Sequence, residues 1–283
     1  MADFAPHSED RLTLRKNAVA WDRLAASGQP LAKPAADAAF ANPRQWLGTG
    51  GPPGRPWLPE SLVGLEILCL AAGGGKHGPL YAAAGGRVTV VDLSAAMLEL
   101  DRQVARERRI DLTLVQTSMD DLSMFPAERF DLIIQPVSTC YVRTVRRLLA
   151  EVARVCRPGG RYLSQHKAPL SLQASQKPNA AGHYELLQPQ GGANAADRMP
   201  LPAAVPSRLR EPGTDEFIHS LTDLLGGICA AGFVIDDFFE PAEADASSSP
   251  GSYEHRARYL PPYLRVLARR QGATEVRRPV LVQ

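Results

Sequence analysis

The chain has 283 residues, enough to bury a core of its own, and 45 % of them are hydrophobic. Thirty-two Lys plus Arg against 30 Asp plus Glu leave a formal charge of +2, so no strong field steers it towards a polyanion and no nucleic-acid partner is expected. Cysteines at 69, 140, 156 and 229 form neither a CxxC pair nor a zinc-type cluster, so no metal is expected, and Cys69 and Cys229, in apolar runs, read as buried thiols. No secretory signal opens the sequence and no apolar run reaches the length of a membrane span, which makes a reduced cytoplasmic compartment the default expectation.

Residues 1–61 read as a cover segment. A weakly helical piece around Asn17 to Ala26 precedes NPRQWLGTGGPPGRPWLPE, too rich in Gly and Pro for long regular structure. Trp21, Trp46 and Trp57 all fall in this segment, and three indoles are costly to leave in water, so it is expected to pack on the rest of the chain.

From Leu65 short apolar runs alternate with helical ones. LEILCLAA, RVTVVDL, LTLVQTS and FDLIIQPV read as strands, with helices over His77–Ala84, Ser94–Arg108 and Val142–Val155. PGG at 158–160 should end the third helix and RYLSQHK should form a fifth strand. This alternation is the pattern of βαβ units on an open, mostly parallel α/β sheet with helices on both faces. About 168–213 reads as an insertion near the site, rich in Pro, Gln, Ala and Gly. A helix over Asp215–Ala231, with Phe217, Leu221, Leu224 and Leu225 towards the sheet, and the strand GFVIDDFFE then follow. PAEADASSSPGSYEH reads as poorly ordered, YLRVLARR as the last strand with Pro261 and Pro262 before it, and 271–283 as a tail. The main domain therefore spans 62–270.

The informative unit is a strand, the loop AAGGGK at 71–76, a helix, and a second strand ending in Asp92. Glycines at such a turn let a ligand approach the backbone, and an acid after the second strand can accept hydrogen bonds from ribose hydroxyls. Gly73, Gly75 and Gly78 also spell GxGxxG, a dinucleotide pattern, but Pro79 follows at once. A phosphate-binding P-loop requires Ser or Thr where His77 stands.

The stretch from Leu65 to Lys167 resembles the class I S-adenosylmethionine-dependent methyltransferases of small-molecule type in five places, in order: the glycine loop, VVDLSAAML, SMDDL, RFDLIIQPVSTCYV and VCRPGGR. The resemblance implies a seven-stranded Rossmann-like sheet and S-adenosyl-L-methionine as cofactor. It implies that Ala71, Gly73, Gly75, Asp92, Leu93, Met97, Ser118, Met119 and Gln135 hold that cofactor, with Asp92 on the ribose. Cys69 stands where the family's first acid sits, Ala71 replaces a glycine, and Ser118 stands where many members place an adenine-binding aspartate. The C-terminal EFIHSLTDLLGGICAAGFVIDDFFE resembles the unit that closes many small-molecule members, which implies a small-molecule acceptor. A non-catalytic or accessory protein on the same fold is the other reading.

Methyl transfer from a sulfonium needs a base only when the acceptor carries a proton, so sequence is a weaker guide to the acceptor side. The candidates are His219, expected to reach sideways from its helix, His166 near the end of the fifth strand, and Tyr141 after the fourth. Ser138 and Tyr184 are further pocket candidates.

Overall fold

The computed structural model describes residues 8–48, 50–189, 200–201 and 209–272, so part of the expected insertion and nearly all of the expected tail lie outside the described residues. The leader contributes α1 (Ser8–Ala26), α2 (Asp37–Ala41) and α3 (Pro43–Leu47). Then come β1 (Glu66–Leu70), α4 (His77–Ala83), β2 (Arg87–Asp92), α5 (Ala95–Arg108), β3 (Leu112–Gln116), β4 (Phe130–Gln135), α6 (Val145–Val155) and β5 (Cys156–Lys167). The chain continues through α7 (Pro169–Gln173), a π-helical turn at Thr222–Gly226 leading into α8 (Gly227–Ala230), β6 (Phe233–Phe239), α9 (Tyr253–Ala257) and β7 (Tyr263–Arg270).

One sheet has the order β3-β2-β1-β4-β5-β7-β6, with β7 antiparallel to both neighbours and the other pairs parallel. Side chains alternate across it. Leu68 and Leu70 of β1 pack in one core with Leu148, Leu149 and Val152 of α6 and Ile228 of α8, whereas Ile67 and Cys69 pack in the other with Tyr81 of α4 and Leu98 of α5. Burial on both faces explains why β1 and β4 read as continuous apolar runs. Strand order reverses between β1 and β4, so the crevice beyond their carboxyl ends is where a ligand of an open α/β sheet is received.

Five expectations are corrected. The helix expected from Asp215 begins only at Leu221, and 214–220 has no regular structure, so Phe217 is buried from an extended segment while Leu221 is 53 % exposed. PGG does not stand outside the fifth strand: β5 starts at Cys156 and takes up the extra residues in a register shift opposite Phe130 and Leu132. Of the three tryptophans Trp57 is buried and Trp21 packs at the core edge, but Trp46 is 59 % exposed. Cys229 is an exposed thiol because it falls on the outer side of the short α8. Within the segment expected to be poorly ordered, Ser252 accepts from the amide of His255 and opens α9.

Candidate active site

The crevice holds a cavity of about 350 Å³, within the range of small-molecule sites. One side of it comes from the β1–α4 loop and the ends of β2 and β3: Ala71, Gly73, Asp92, Leu93, Met97, Ser118 and Met119 line it. Asp92 is the hinge of this side. Its Oδ2 accepts from the Gly73 amide at 2.9 Å and its Oδ1 from the Ser94 amide at 2.9 Å, so one carboxylate ties the glycine loop to the turn before α5. Burial raises the pKa of Asp92, and the amides of Ser94, Gly73 and Leu93 oppose that rise. Each oxygen still has a lone pair for a hydroxyl in the cavity. A Cβ at Gly73 would lie 2.8 Å from the Met97 Cβ and 3.0 Å from Asp92 Oδ2, so only glycine allows this approach.

Ala71 has φ 49, the left-handed conformation that costs a non-glycine residue roughly 1–2 kcal/mol. Its amide donates to Val91 O at 2.7 Å, which holds the turn in place against that cost. Gly75 does not line the cavity; it packs under Pro34 and Val104. Ser118 Oγ donates to Asp120, and Asp120 also lies 3.7 Å from Arg147, so Asp120 is held in the wall and leaves the lining to Ser118. Gln135 is buried behind the cavity, where the Tyr162 hydroxyl donates to it and its own amide donates to Ser138 Oγ at 2.8 Å. It positions Ser138, which does line the cavity.

The other side is lined by Leu14, Asn17 and Trp21 of α1, by Val137, Ser138, Tyr141 and Val142 after β4, and by Gln165, Glu211 and Tyr263. Asn17 fastens α1: its Nδ2 donates to the carbonyls of Tyr141 and Asp215 at 3.2 Å each, and its Oδ1 accepts from the Asp215 amide at 2.7 Å. Asp22 accepts from Ser94 Oγ at 2.6 Å and from the Ala96 amide at 3.1 Å, so α1 also helps to cap α5. Lys76 at the glycine loop donates to the carbonyls of Pro30 and Leu31, fixing the rest of the leader over the same opening.

At the far end the Tyr141 hydroxyl donates to Glu211 Oε2 at 2.6 Å, and the Lys167 ammonium donates to the same oxygen at 2.7 Å and to Glu216 Oε2 at 3.0 Å. Burial opposes the Lys167 charge, yet Cys140, Glu211 and Glu216 hold its pKa above the ordinary range. Burial, then Glu211, raises Tyr141 well above the usual phenol range, so it is a permanent donor rather than a base. Among the described residues no hydrogen-bond donor reaches Glu211 Oε1.

The two histidines proposed as bases take other positions. His219 lies on the extended segment before the π-helical turn, buried, with Nε2 3.1 Å from Thr139 O and 2.9 Å from Val142 O. Two carbonyl acceptors make that nitrogen an N–H donor turned to backbone, and His219 does not line the cavity. His166 is fully buried between Thr139 Oγ1 and Ser164 Oγ, and burial, aided by His219, pushes its pKa down to about 3. Tyr184 sits away from the cavity, against His255 and Tyr259. His77, passed over except as an obstacle to a P-loop, does line the cavity; burial, then Lys76 and Arg265, lowers its pKa to about 4. Asn17, Glu211 and Tyr263 carry no local motif and were missed.

Comparison with known proteins agrees with this fold. A methyltransferase-domain family model matches residues 68–164. The uncharacterized methyltransferase YbaJ of Bacillus subtilis is 36 % identical over 187 residues, 66 % of this chain and 72 % of that protein. The ubiquinone/menaquinone biosynthesis C-methyltransferase UbiE of Methylobacterium nodulans is 30 % identical over 190 residues, covering 61 % of this chain and 73 % of its own. A solved S-adenosylmethionine-dependent methyltransferase from Mesorhizobium loti superposes with a TM-score of 0.58 at 25 % identity, over 76 % of this chain and 94 % of that one. A half-buried carboxylate beside apolar Leu93, Met97 and Met119 is what a ribose and an adenine require, and on that fit and these likenesses the chain belongs to the class I S-adenosylmethionine-dependent methyltransferases.

Proposed function

We propose that the protein methylates a small molecule that enters the α1 side of the cavity and offers an O–H or N–H to Glu211. The observation that carries this reading is the placement of Glu211 on the wall of the same cavity as Asp92, with one oxygen held by Tyr141 and Lys167 and the other without a donor among the described residues. Cover by α1 supports a small acceptor over a macromolecular one, because Asn17 and Trp21 stand where a bulky partner would have to enter.

When bound, S-adenosylmethionine supplies a sulfonium methyl already activated for in-line displacement. Asp92 would take the ribose hydroxyls, Gly73 would bring the loop backbone close, and Leu93, Met97, Ser118 and Met119 would flank the adenine. Glu211 would take the proton that the acceptor's O–H or N–H loses on gaining the methyl, with the neutral thioether as leaving group. Tyr141 and Lys167 keep that carboxylate aimed, and Leu14, Trp21, Val137 and Val142 exclude water from the acceptor. His166 and His219 support the wall behind Thr139 and Val142 and take no part in proton transfer.

The test is incubation with methyl-labelled S-adenosylmethionine and a cell extract divided into small-molecule, protein and nucleic-acid fractions. Label in the small-molecule fraction is expected. Label confined to protein or nucleic acid, or in no fraction, would contradict the proposal.

A further inference from the structure

Asp101 lies on α5, fully buried, and makes no ion pair among the described residues. Its Oδ2 accepts from the Gly74 amide at 3.0 Å and its Oδ1 from the Gly75 amide at 3.1 Å. A carboxylate out of water without a cation is costly, so its retention calls for a reason beyond packing. The two amides belong to the loop that must receive the cofactor. Gly74 N also reaches Met97 O at 3.0 Å, but no other acceptor in the structure is described for Gly75 N. The room for Asp101 comes from Gly78, where a Cβ would meet Asp101 Oδ1 at 3.5 Å and Val90 Cγ2 at 2.4 Å.

Beneath the same loop, at the position where the family's strand acid is expected, stands Cys69. It is fully buried, and its thiol is pushed up first by burial and then by the Asp101 charge, which places the two side chains within electrostatic reach of each other. We propose that Asp101 is the positioning carboxylate of the cofactor loop, acting from helix α5 in place of the acid that β1 lacks. By accepting from two successive amides it fixes the Gly74–Gly75 backbone in the conformation that leaves Gly73 and Asp92 open to the cavity. The departure at Cys69 is thereby compensated from another element, and the loop keeps its shape despite the strain at Ala71.

The titratable groups that face Asp101 are Cys69 of β1 and Asp92 at the end of β2, the latter in turn near Asp22 of α1. Burial and then the Asp92 charge raise Asp101 to about 7, against the two amides. Only the ionised form offers two acceptor oxygens, so the loop is best held on the alkaline side of neutrality.

The experiment is calorimetric titration of S-adenosylhomocysteine into wild type, Asp101→Asn, Asp101→Ala and the double variant Cys69→Asp/Asp101→Ala, at pH 6 and pH 8, with ligand-free thermal unfolding of each. Asp101→Asn and Asp101→Ala should weaken binding at pH 8 by tenfold or more. Cys69→Asp should restore most of that loss, and affinity should rise from pH 6 to pH 8 in wild type but not in Asp101→Asn. Binding within twofold of wild type in both single variants would overturn the proposal. So would a loss that merely follows a lowered unfolding midpoint and is not recovered by Cys69→Asp.

Discussion

One side of the cavity, the proposed cofactor side, comes chiefly from the βαβ unit of β1, α4 and β2 with the start of α5, in which Ala71, Gly73, Asp92 and Leu93 sit at strand ends and Met97 one turn into a helix, joined by Ser118 and Met119 after β3. The acceptor side draws on α1, the 137–142 turn, the ends of β5 and β7, and Glu211, which only the tertiary fold brings together. The first is held by backbone amides converging on Asp92 and Asp101, the second by side chains such as Asn17, Tyr141 and Lys167 reaching between distant segments. Changes on one side should therefore leave the other working.

The largest effect is expected at Glu211. Glu211→Gln keeps the shape and loses the proposed base, so turnover of the acceptor should fall about 100-fold, within the usual contribution of a positioned acid–base group, while the cofactor dissociation constant stays within about twofold. His219→Gln is the matched control: it retains an N–H for the Thr139 and Val142 carbonyls, and turnover at saturating cofactor should stay near wild type. A loss in His219→Gln as large as that in Glu211→Gln would return the histidine to the chemistry.

On the cofactor side, Asp92→Ala should weaken S-adenosylhomocysteine binding by more than about tenfold, since it removes the proposed ribose acceptor and frees the Gly73 and Ser94 amides. An unchanged dissociation constant by calorimetry would remove Asp92 from the cofactor site.

Asn17→Ala tests the fastening of the cover. Loss of three hydrogen bonds to Tyr141 and Asp215 should raise hydrogen exchange in α1 and increase the acceptor KM severalfold, with cofactor affinity little changed. Equal exchange in the variant and wild type would show that α1 is held by something else.

The smallest effect concerns pH and stability. His166 is held neutral down to about 3 in the fold but takes up a proton near 6.5 when unfolded. Between those values the unfolded chain binds more protons, so this group makes stability fall as pH falls from 6.5. Replacement by Asn should flatten the dependence of the unfolding midpoint on pH across that window. An identical slope in wild type and His166→Asn would contradict the burial of a neutral ring.

How much of this was legible in the sequence follows the same division. β1, β2 and β4 could be read from continuous apolar runs because they are buried on both faces, whereas the edge strand β3, with no buried residue, was legible only from its place in the alternation. Asp92, Leu93 and Met97, which line the cavity, could be singled out from the sequence because they follow the glycine loop within one βαβ unit. Glu211 and Asn17 could not, because nothing local distinguishes an acid or an amide whose partners lie far away in the chain, as Tyr141 lies 124 positions beyond Asn17. The helix expected from Asp215 failed for a physical reason: Glu216 and Phe217 are pulled into an extended path by Lys167 and by the Cys140 carbonyl, to which the Phe217 amide donates at 2.7 Å. Tertiary contacts there outweighed helical periodicity.

The most direct measurement is a crystal structure with S-adenosylhomocysteine bound. The account predicts ribose hydroxyls on Asp92, adenine between Leu93, Met97 and Met119, and the sulfur facing the space between Tyr141 and Glu211. A ligand seated outside this cavity, or a sulfur directed away from Glu211, would contradict it.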